Sequence, residues 1–118
     1  MSYINKKGKT SSWRKMVIRQ QVSDFVSFGK IQTTITKAKE TQRHVERLIT
    51  SAKSKDLSTT KKLASLFLNT KFDDVDKLIS KAYDLGKKYA SRNGGYTRVI
   101  KLGTRVGDRT EEAILELV

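Results

Sequence analysis

The sequence contains no cysteine and no proline, and it has a single histidine. Without cysteine the chain cannot form a disulfide, and one histidine alone gives no basis for a zinc site. No apolar run approaches the roughly 18 residues that cross a membrane, and no signal-peptide core follows Met1. Because proline is absent, glycine, serine, threonine and aspartate mark the ends of helices and strands. We therefore expect no metal, no cofactor and no membrane partner.

Acidic residues are scarce beside basic ones. The 118 residues include 25 Lys and Arg against 12 Asp and Glu, a net charge of +13. Residues 1–23 carry six bases and no acid, residues 24–84 twelve bases and eight acids, and residues 85–118 seven bases and four acids. A polyanion would relieve the self-repulsion of such a charge. A helix on anionic lipid pairs its basic face with a strongly apolar one, whereas these bases are spread over the chain, so nucleic acid is the favoured partner.

Length and periodicity predict one α+β domain preceded by a basic arm. A chain of 118 residues buries a single core. Residues 1–10 lack apolar periodicity and are predicted to be a flexible arm that becomes ordered on RNA, and residues 11–118 form a single RNA-binding domain. We predict a first helix that Ser11 or Ser12 caps and that runs to about Phe28, a second from Thr36 to about Lys53, and two more over residues 58–68 and 72–90. Strands are predicted over residues 30–35, 96–102 and 113–118. Thr36 is predicted to cap the second helix.

The fourth predicted helix is explained by folding alone. Its apolar stripe comprises Phe72, Val75, Leu78, Ile79 and Ala82. Aspartates crowd its start and lysines follow toward its end, an order that complements the helix dipole. Asp73 and Lys77 have the i, i+4 spacing of a stabilising ion pair. We therefore assign this helix a structural role.

The second predicted helix carries a basic row that folding does not explain. Its buried face is predicted to comprise Ala38, Thr41, Val45, Leu48 and Ala52. Lys39, Arg43 and Arg47 stand four residues apart on another face, where like charges repel by about 0.2–0.5 kcal/mol per pair. One interpretation is a solvated face on which Glu40 and Glu46 soften the repulsion. The interpretation favoured by the net charge is that nucleic-acid phosphates lie along the row.

Two adjacent glycines, Gly94 and Gly95, precede the second predicted strand. Glycine permits a positive φ or the close approach of another backbone. A turn needs one glycine, so the pair favours a bare surface for RNA backbone. Tyr96 either stacks on an unpaired base or packs in the core, and the sequence leaves both open. Candidate phosphate donors surround the pair: Ser91, Arg92, Asn93, Thr97 and Arg98.

The sequence indicates no catalytic or metal site. The glycine pair lacks the Gly-Lys-Ser/Thr and the following helix of a Walker P-loop. His44 has no cysteine or second histidine to act with. Asp24, Asp108 and Glu111 form no convincing metal cluster. We therefore expect neither enzymatic activity nor a small-molecule substrate.

Five stretches carry a family resemblance: SSWR at residues 11–14, IQTTITKAKE at 31–40, NGGYTRVIKLG at 93–103, RVGD at 105–108 and AILELV at 113–118. In this order they resemble the bacterial large-subunit ribosomal protein L17 family over almost the whole chain. The resemblance implies a two-layer α/β domain of order α-β-α-α-α-β-β, with a small sheet packed against helices. It also implies binding to large-subunit ribosomal RNA near the polypeptide exit tunnel, neighbouring large-subunit proteins, a cytoplasmic location in the ribosome and no enzymatic activity.

Charge pattern and resemblance together predict one RNA-binding surface. Its residues are Lys6, Lys7, Lys9, Ser11, Ser12, Trp13, Arg14, Lys15, Thr33, Thr34, Lys37, Lys39, Arg43, Arg47, Ser91, Arg92, Asn93, Gly94, Gly95, Tyr96, Thr97, Arg98 and Arg105. The chain departs from the family in its arm, where lysine replaces the usual arginine and histidine. Lysine does not fork onto phosphate as arginine does, so the arm's role is electrostatic. Whether Trp13 stacks on a base or packs in the core stays open.

A different class of function remains as the alternative, a free-standing basic regulator that binds RNA or DNA transiently. A ribosomal protein sediments with large subunits, whereas a regulator stays in the light fractions. Within the ribosomal interpretation, Arg92 and Arg98 are predicted to contribute more to RNA binding than Lys77 and Lys81. The reason is that the two lysines have aspartates on their own predicted helix.

Overall fold

The computed structural model describes residues 11–104, 107 and 110–118. Its elements follow the predicted order of helix, strand, three helices and two strands, which confirms the α+β class. They are α1 (Ser11–Phe28), β1 (Lys30–Thr34), α2 (Ile35–Ala52), α3 (Leu57–Leu66), α4 (Val75–Lys88), β2 (Thr97–Thr104) and β3 (Glu111–Leu117). The predicted arm, residues 1–10, lies outside the described residues.

The three strands form an antiparallel sheet in the order β1-β3-β2. Ile31, Leu115 and Val99 lie side by side across it, on the face that packs against the helices. Leu115, on the central strand, is fully buried. Alternation along each strand turns the neighbouring residues to the outer face. The register of β2 against β3 shifts between Lys101 and Gly103.

The helix α2 is central to the fold, since it contacts every other helix and strand. Its buried residues are Ala38, Thr41, Val45, Leu48, Ile49 and Ala52, which include all five predicted from the sequence. This apolar stripe follows the helical period and leaves the opposite side of α2 in solvent. The orientation of that solvent side is therefore set by contacts with the whole domain.

The helix α4 approaches α2 so closely that the contact requires a glycine. A Cβ atom on Gly86 would lie 2.6 Å from the carbonyl oxygen of Ala52. Leu78 and Ala82, on the same helix, are fully buried. Interiors are close-packed, so a side chain at this contact could be accommodated only by moving backbone.

The starts of α2 and α3 differ slightly from the prediction. The helix α2 begins at Ile35 with Thr34 in the N-cap position, so the prediction that Thr36 caps it is wrong. Asp56 caps α3, and its carboxylate accepts a 2.7 Å hydrogen bond from the N–H of Thr59. An aspartate in this position satisfies an N–H that the helix itself leaves without a partner.

The helix α4 begins at Val75, three residues later than predicted. Its cap is Asp74, whose carboxylate accepts from the N–H of Lys77 at 2.9 Å. Phe72 therefore lies before the helix, and it is 64% exposed rather than part of the apolar stripe. Its ring meets that of Phe28 edge to face, with the centroids 5.7 Å apart.

Asp73 joins the end of α1 to α4. Its Oδ2 lies 2.7 Å from the ammonium of Lys81 and also accepts a hydrogen bond from the Ser27 hydroxyl. The same ammonium donates to the carbonyl oxygen of Ser27 at 3.0 Å. The hydrogen bonds from Lys81 and then Ser27 lower the pKa of Asp73. The predicted helical pairing of Asp73 with Lys77 is wrong, because Asp73 precedes the helix.

Candidate nucleic-acid interface

The basic row of α2 lies on its solvent side. Lys39, Arg43 and Arg47 are all exposed, and four helical residues separate successive members by about 6 Å along the axis. Neither Lys39 nor Arg47 forms an ion pair with any residue in the described part of the chain. Arg43 lies 3.6 Å from Glu40 and keeps 46% of its side chain exposed. The row is therefore a positive surface with only partial internal balance.

Of the two glutamates expected to soften this charge, Glu46 has a different role. Its carboxylate accepts hydrogen bonds from the backbone N–H of Tyr96 at 2.9 Å and from the Thr97 hydroxyl at 3.2 Å. These bonds dock the start of β2 onto α2. Thr97 is accordingly only 6% exposed, and the hydroxyl that was predicted to contact phosphate already donates to Glu46.

Tyr96 packs in the core, the second of the two alternatives that the sequence leaves open. Its ring is 1% exposed and its centroid lies 5.3 Å from that of Tyr89. Its hydroxyl lies 3.2 Å from the Thr50 hydroxyl and donates to the carbonyl oxygen of Arg92 at 3.2 Å. Hydrogen bonding to Lys53 and then to Thr50 lowers the pKa of Tyr96. The ring has no free face on which a base could stack.

The two glycines of the loop differ in backbone conformation. Gly95 has a φ of +64°, in the left-handed region that strains any other common side chain. The positive φ accounts for the glycine at position 95, and the close approach of RNA backbone there stays a prediction. Gly94 does not have a positive φ, and a Cβ atom placed on it would meet nothing within 4 Å. A Cβ atom on Gly95 would also meet nothing within 4 Å, so both glycines leave open space at the loop surface, and only Gly95 also needs glycine for its backbone conformation.

Arg92 and Arg98 flank the loop in sequence, but they make different contacts. The guanidinium of Arg92 donates to the carbonyl oxygen of Gly95 at 3.2 Å and lies 5.5 Å from the ring centroid of Tyr89, so it closes the loop. Arg98 lies on the outer face, where its Nε and Nη2 are 2.7 Å and 2.6 Å from Oε1 of Glu116. The fold therefore gives the two arginines different partners, and their shared role around one RNA site stays a prediction.

The helix α2 and the glycine loop border an open cavity of about 460 Å³. Its lining residues are Glu46, Arg47, Thr50, Ser51, Asn93, Gly94 and Tyr96. Arg47 is the last residue of the basic row and Gly94 belongs to the glycine pair. The cavity therefore lies between the two features that the sequence predicts to contact RNA. Thr50 and Ser51 are lining residues that the sequence reasoning missed. The signal for Ser51 was its position four residues after Arg47, where it continues the row.

The starts of α1 and α2 meet at the surface. The Lys37 ammonium lies 5.6 Å from the centroid of the Trp13 ring, within cation–π range. Trp13 is 36% exposed, so the indole is at the surface and not in the core. Thr33 accepts a 3.0 Å hydrogen bond from Gln21, and Thr34 is the N-cap residue of α2.

The remaining predicted site residues are spread along the chain. Ser11 is the first residue of α1. Arg14 is half-buried, and the following are exposed: Ser12, Lys15, Ser91 and Asn93. Four others lie outside the described residues: Lys6, Lys7, Lys9 and Arg105. The structure thus brings together the row of α2 and the Gly94 side of the loop, and it separates Arg98 from both.

Within residues 11–104, 107 and 110–118, no three His, Cys, Asp or Glu side chains lie close enough to hold a metal ion. None of the helices in that part of the chain has the length and apolar character to cross a membrane. The Nε2 atom of His44 is 3.7 Å from Oε1 of Glu40 at the surface of α2. The candidate interface therefore consists of exposed positive charge, a bare loop and the cavity between them.

Known proteins match this chain along its length. The family model described as Ribosomal protein L17 matches residues 17–118. Proteins of Malacoplasma penetrans and of Ureaplasma parvum serovar 3 are each 60% identical over 119 aligned positions, covering 100% of this chain and of the relative. A protein of Mycoplasma genitalium is 50% identical over 119 positions, covering 100% of this chain and 97% of the relative. All three relatives carry the name large ribosomal subunit protein bL17.

Proposed function

Because this chain belongs to the ribosomal protein L17 family, we propose that it binds and organises large-subunit ribosomal RNA through the row of α2 and the bare loop at Gly94. As a member of that family it is a structural protein of the large ribosomal subunit and not an enzyme. The position that we propose, near the polypeptide exit tunnel and among other large-subunit proteins, follows the family resemblance. In bacteria this is a cytoplasmic location.

The observation that carries the RNA proposal is the exposed basic row on α2. Three like charges at four-residue spacing cost the isolated helix about 0.2–0.5 kcal/mol per pair. Glu40 offsets part of this cost at Arg43, while Lys39 and Arg47 have no ion-pair partner among the described residues. Phosphates along the row supply the missing negative charge, and the counterions that they release favour binding.

The members of the row suit different contacts. Arg43 and Arg47 each offer a planar guanidinium, which matches two phosphate oxygens at once. Lys39 offers a compact charge on a flexible stem. Because α2 contacts every other element, the folded domain holds the row in a fixed orientation. The domain thus acts as a rigid support that determines where the bound RNA segments lie.

Substitution along the row tests the proposal. We expect Lys39→Ala and Arg47→Ala each to weaken binding to large-subunit RNA. Each should also reduce the slope of log affinity against log salt by about 0.7–0.9 for every phosphate that the variant no longer neutralises. Both side chains are exposed, so the free energy of unfolding of the free protein should change by no more than about 0.5 kcal/mol. Filter binding over a salt series measures both the affinity and the slope.

Two matched controls remove the same charge elsewhere. Arg98→Ala acts on the outer face of the sheet, where Glu116 already pairs with the arginine. Arg98 thus has an acidic partner within the fold, as Lys81 has, and it serves as a control although the sequence predicted it to contact RNA. Lys61→Ala acts on the exposed side of α3. Equal losses for row and control variants would show that only net charge matters and that the assigned surface is wrong.

A sedimentation gradient tests the ribosomal assignment against the regulator alternative. We expect the protein to migrate with large subunits and to remain with them through a wash at moderate salt. Recovery in the light fractions at that salt would favour a transient regulator. This measurement does not depend on which residues contact the RNA, so it tests the function separately from the surface.

A further inference from the structure

The cavity between α2 and the glycine loop lies where the basic row ends. Ser51 follows Arg47 by one helical turn and lines the cavity opposite the loop. RNA whose phosphates follow the row therefore reaches this cavity after Arg47. We propose that the cavity receives one unstacked base of the bound RNA, while the neighbouring phosphates lie on Arg43 and Arg47. The inference rests on the proposed function and adds a base-recognition site to it.

Electrostatics favours a base over a phosphate inside the cavity. The Glu46 carboxylate lines it and is held in place by its hydrogen bonds to the start of β2. A phosphate in the cavity would face this negative charge at short range and be repelled. A base is neutral, and an exocyclic amine on it can donate to a carboxylate. Arg47 at the rim attracts the phosphate, so the charge pattern keeps phosphate outside and admits the base.

The walls of the cavity also suit a flat, polar ligand. Gly94 presents bare backbone with open space beside it, which lets a planar ring approach closely. The side chains of Ser51 and Asn93 make no hydrogen bond within the described part of the chain. The Asn93 amide offers both donors and an acceptor, which are the groups that read the edge of an unpaired base. The cavity is shallow and open to solvent, with a volume of about 460 Å³.

A second cavity of about 490 Å³, between α2 and α4, does not share these features. Three lysines and an aspartate line it: Lys53, Lys55, Lys87 and Asp84. The lysines lie near the C-terminal ends of the two helices, where cations offset the helix dipole. Lys53 also donates to the carbonyl oxygen of Arg92. The fold explains these lysines, so the second cavity provides the control.

The test compares two leucine substitutions that fill the two cavities. Ser51→Leu fills the first and Ser80→Leu the second, and both serines lie on helices and line their cavities. Each variant is bound to large-subunit RNA. Hydroxyl radicals then report contact with the RNA backbone, and base-modifying reagents report access to base edges. Thermal melting of the free variants checks that both are folded.

We expect the wild-type protein to protect one unpaired base within its backbone footprint. Ser51→Leu should leave that base reactive, keep the footprint along the row, and weaken binding about tenfold, as for the loss of one or two hydrogen bonds to the base edge. Ser80→Leu should behave as the wild type. Asn93→Ala, which removes only the amide, should raise the reactivity of the same base and provides the decisive variant if Ser51→Leu fails to fold.

Two results overturn the inference and leave the proposed function standing. One is a wild-type footprint that includes no protected unpaired base. The other is a base that remains protected in both Ser51→Leu and Asn93→Ala. Absence of any wild-type footprint on large-subunit RNA contradicts the proposed function itself, together with this inference.

Discussion

The helices α2 and α4 pack against each other and both carry basic residues, but they place these charges differently. The helix α4 is capped by Asp74 and ends in Lys87 and Lys88, in the order that complements its dipole. Its Lys81 is held by Asp73 at 2.7 Å. The helix α2 has no acidic residue in its first turn and no basic residue in its last. Its bases instead form a row on the solvent side.

This difference distinguishes charges that stabilise the fold from charges that are available to bind a partner. Each charge of α4 named above has a counterpart within the fold, a helix end or a carboxylate, and folding accounts for it. Along α2, Glu40 pairs with Arg43 of the row, while Glu46 docks β2. A charge that the fold does not balance indicates a partner outside the chain, here a polyanion.

Among the predicted variants, one that disrupts the contact between α2 and α4 should reduce the stability of the protein most. We expect Gly86→Ala to destabilise the protein by about 1–3 kcal/mol or more, since overpacking displaces the α2 backbone. The sign of the stability change identifies the cause, because at an ordinary helical position alanine is more stable than glycine by about 1 kcal/mol. Denaturant unfolding measures the change. A more stable Gly86→Ala variant would show that the helices leave room for the alanine Cβ atom, contrary to the 2.6 Å between that position and the carbonyl oxygen of Ala52.

Substitution of the loop glycines should have a smaller, asymmetric effect. We expect Gly95→Ala to cost about 1–2 kcal/mol, the strain of a left-handed residue with a side chain. Gly94→Ala is the matched control, and its stability should be unchanged because its Cβ enters open space. Thermal melting of the two variants measures the contrast. Equal melting temperatures would contradict the distinct roles of the two glycines.

The smallest expected effect concerns the charge pair that attaches α4 to α1. Hydrogen bonds from Lys81 and Ser27 lower the pKa of Asp73 below its ordinary 3.8. A lowered folded pKa means that the stabilisation is present above pH 3.8 and is lost as the pH falls through the folded value. We expect Asp73→Asn to lower the melting temperature at neutral pH and to flatten its decline below pH 3.8.

The control for that pH experiment is Asp76→Asn, which removes the same charge from an exposed position on α4. It should leave the acid dependence of melting close to that of the wild type. Asp56, whose pKa is lowered first by its backbone hydrogen bond from Thr59, keeps part of the acid dependence in every variant. An Asp73→Asn curve parallel to the wild-type curve would show that Asp73 does not contribute to acid sensitivity.

Local pattern was enough to predict the order of elements and the buried face of α2. Ala38, Val45 and Leu48 follow the helical period, and a period is a property of neighbouring residues alone. Helix starts were less accurate because several candidate caps stand close together. Thr34 rather than Thr36 precedes α2, and α4 starts after Asp74, three residues beyond the predicted start. The choice among such residues depends on how the preceding segment enters the helix.

The sequence by itself determined the class of fold and the basic row of α2, since composition and periodicity are local. Tertiary structure decided that Gly95 takes a positive φ and which partner each of Arg92 and Arg98 contacts. Position 86 must be glycine because the backbone of Ala52, 34 positions away in the chain, leaves no room for a Cβ atom. Arg98 forms an ion pair with Glu116 on the neighbouring strand. The cavity beside Gly94 exists because a loop and a helix distant in sequence meet in space. Such contacts depend on the path of the whole chain, and a pattern of neighbouring residues in the sequence does not determine that path.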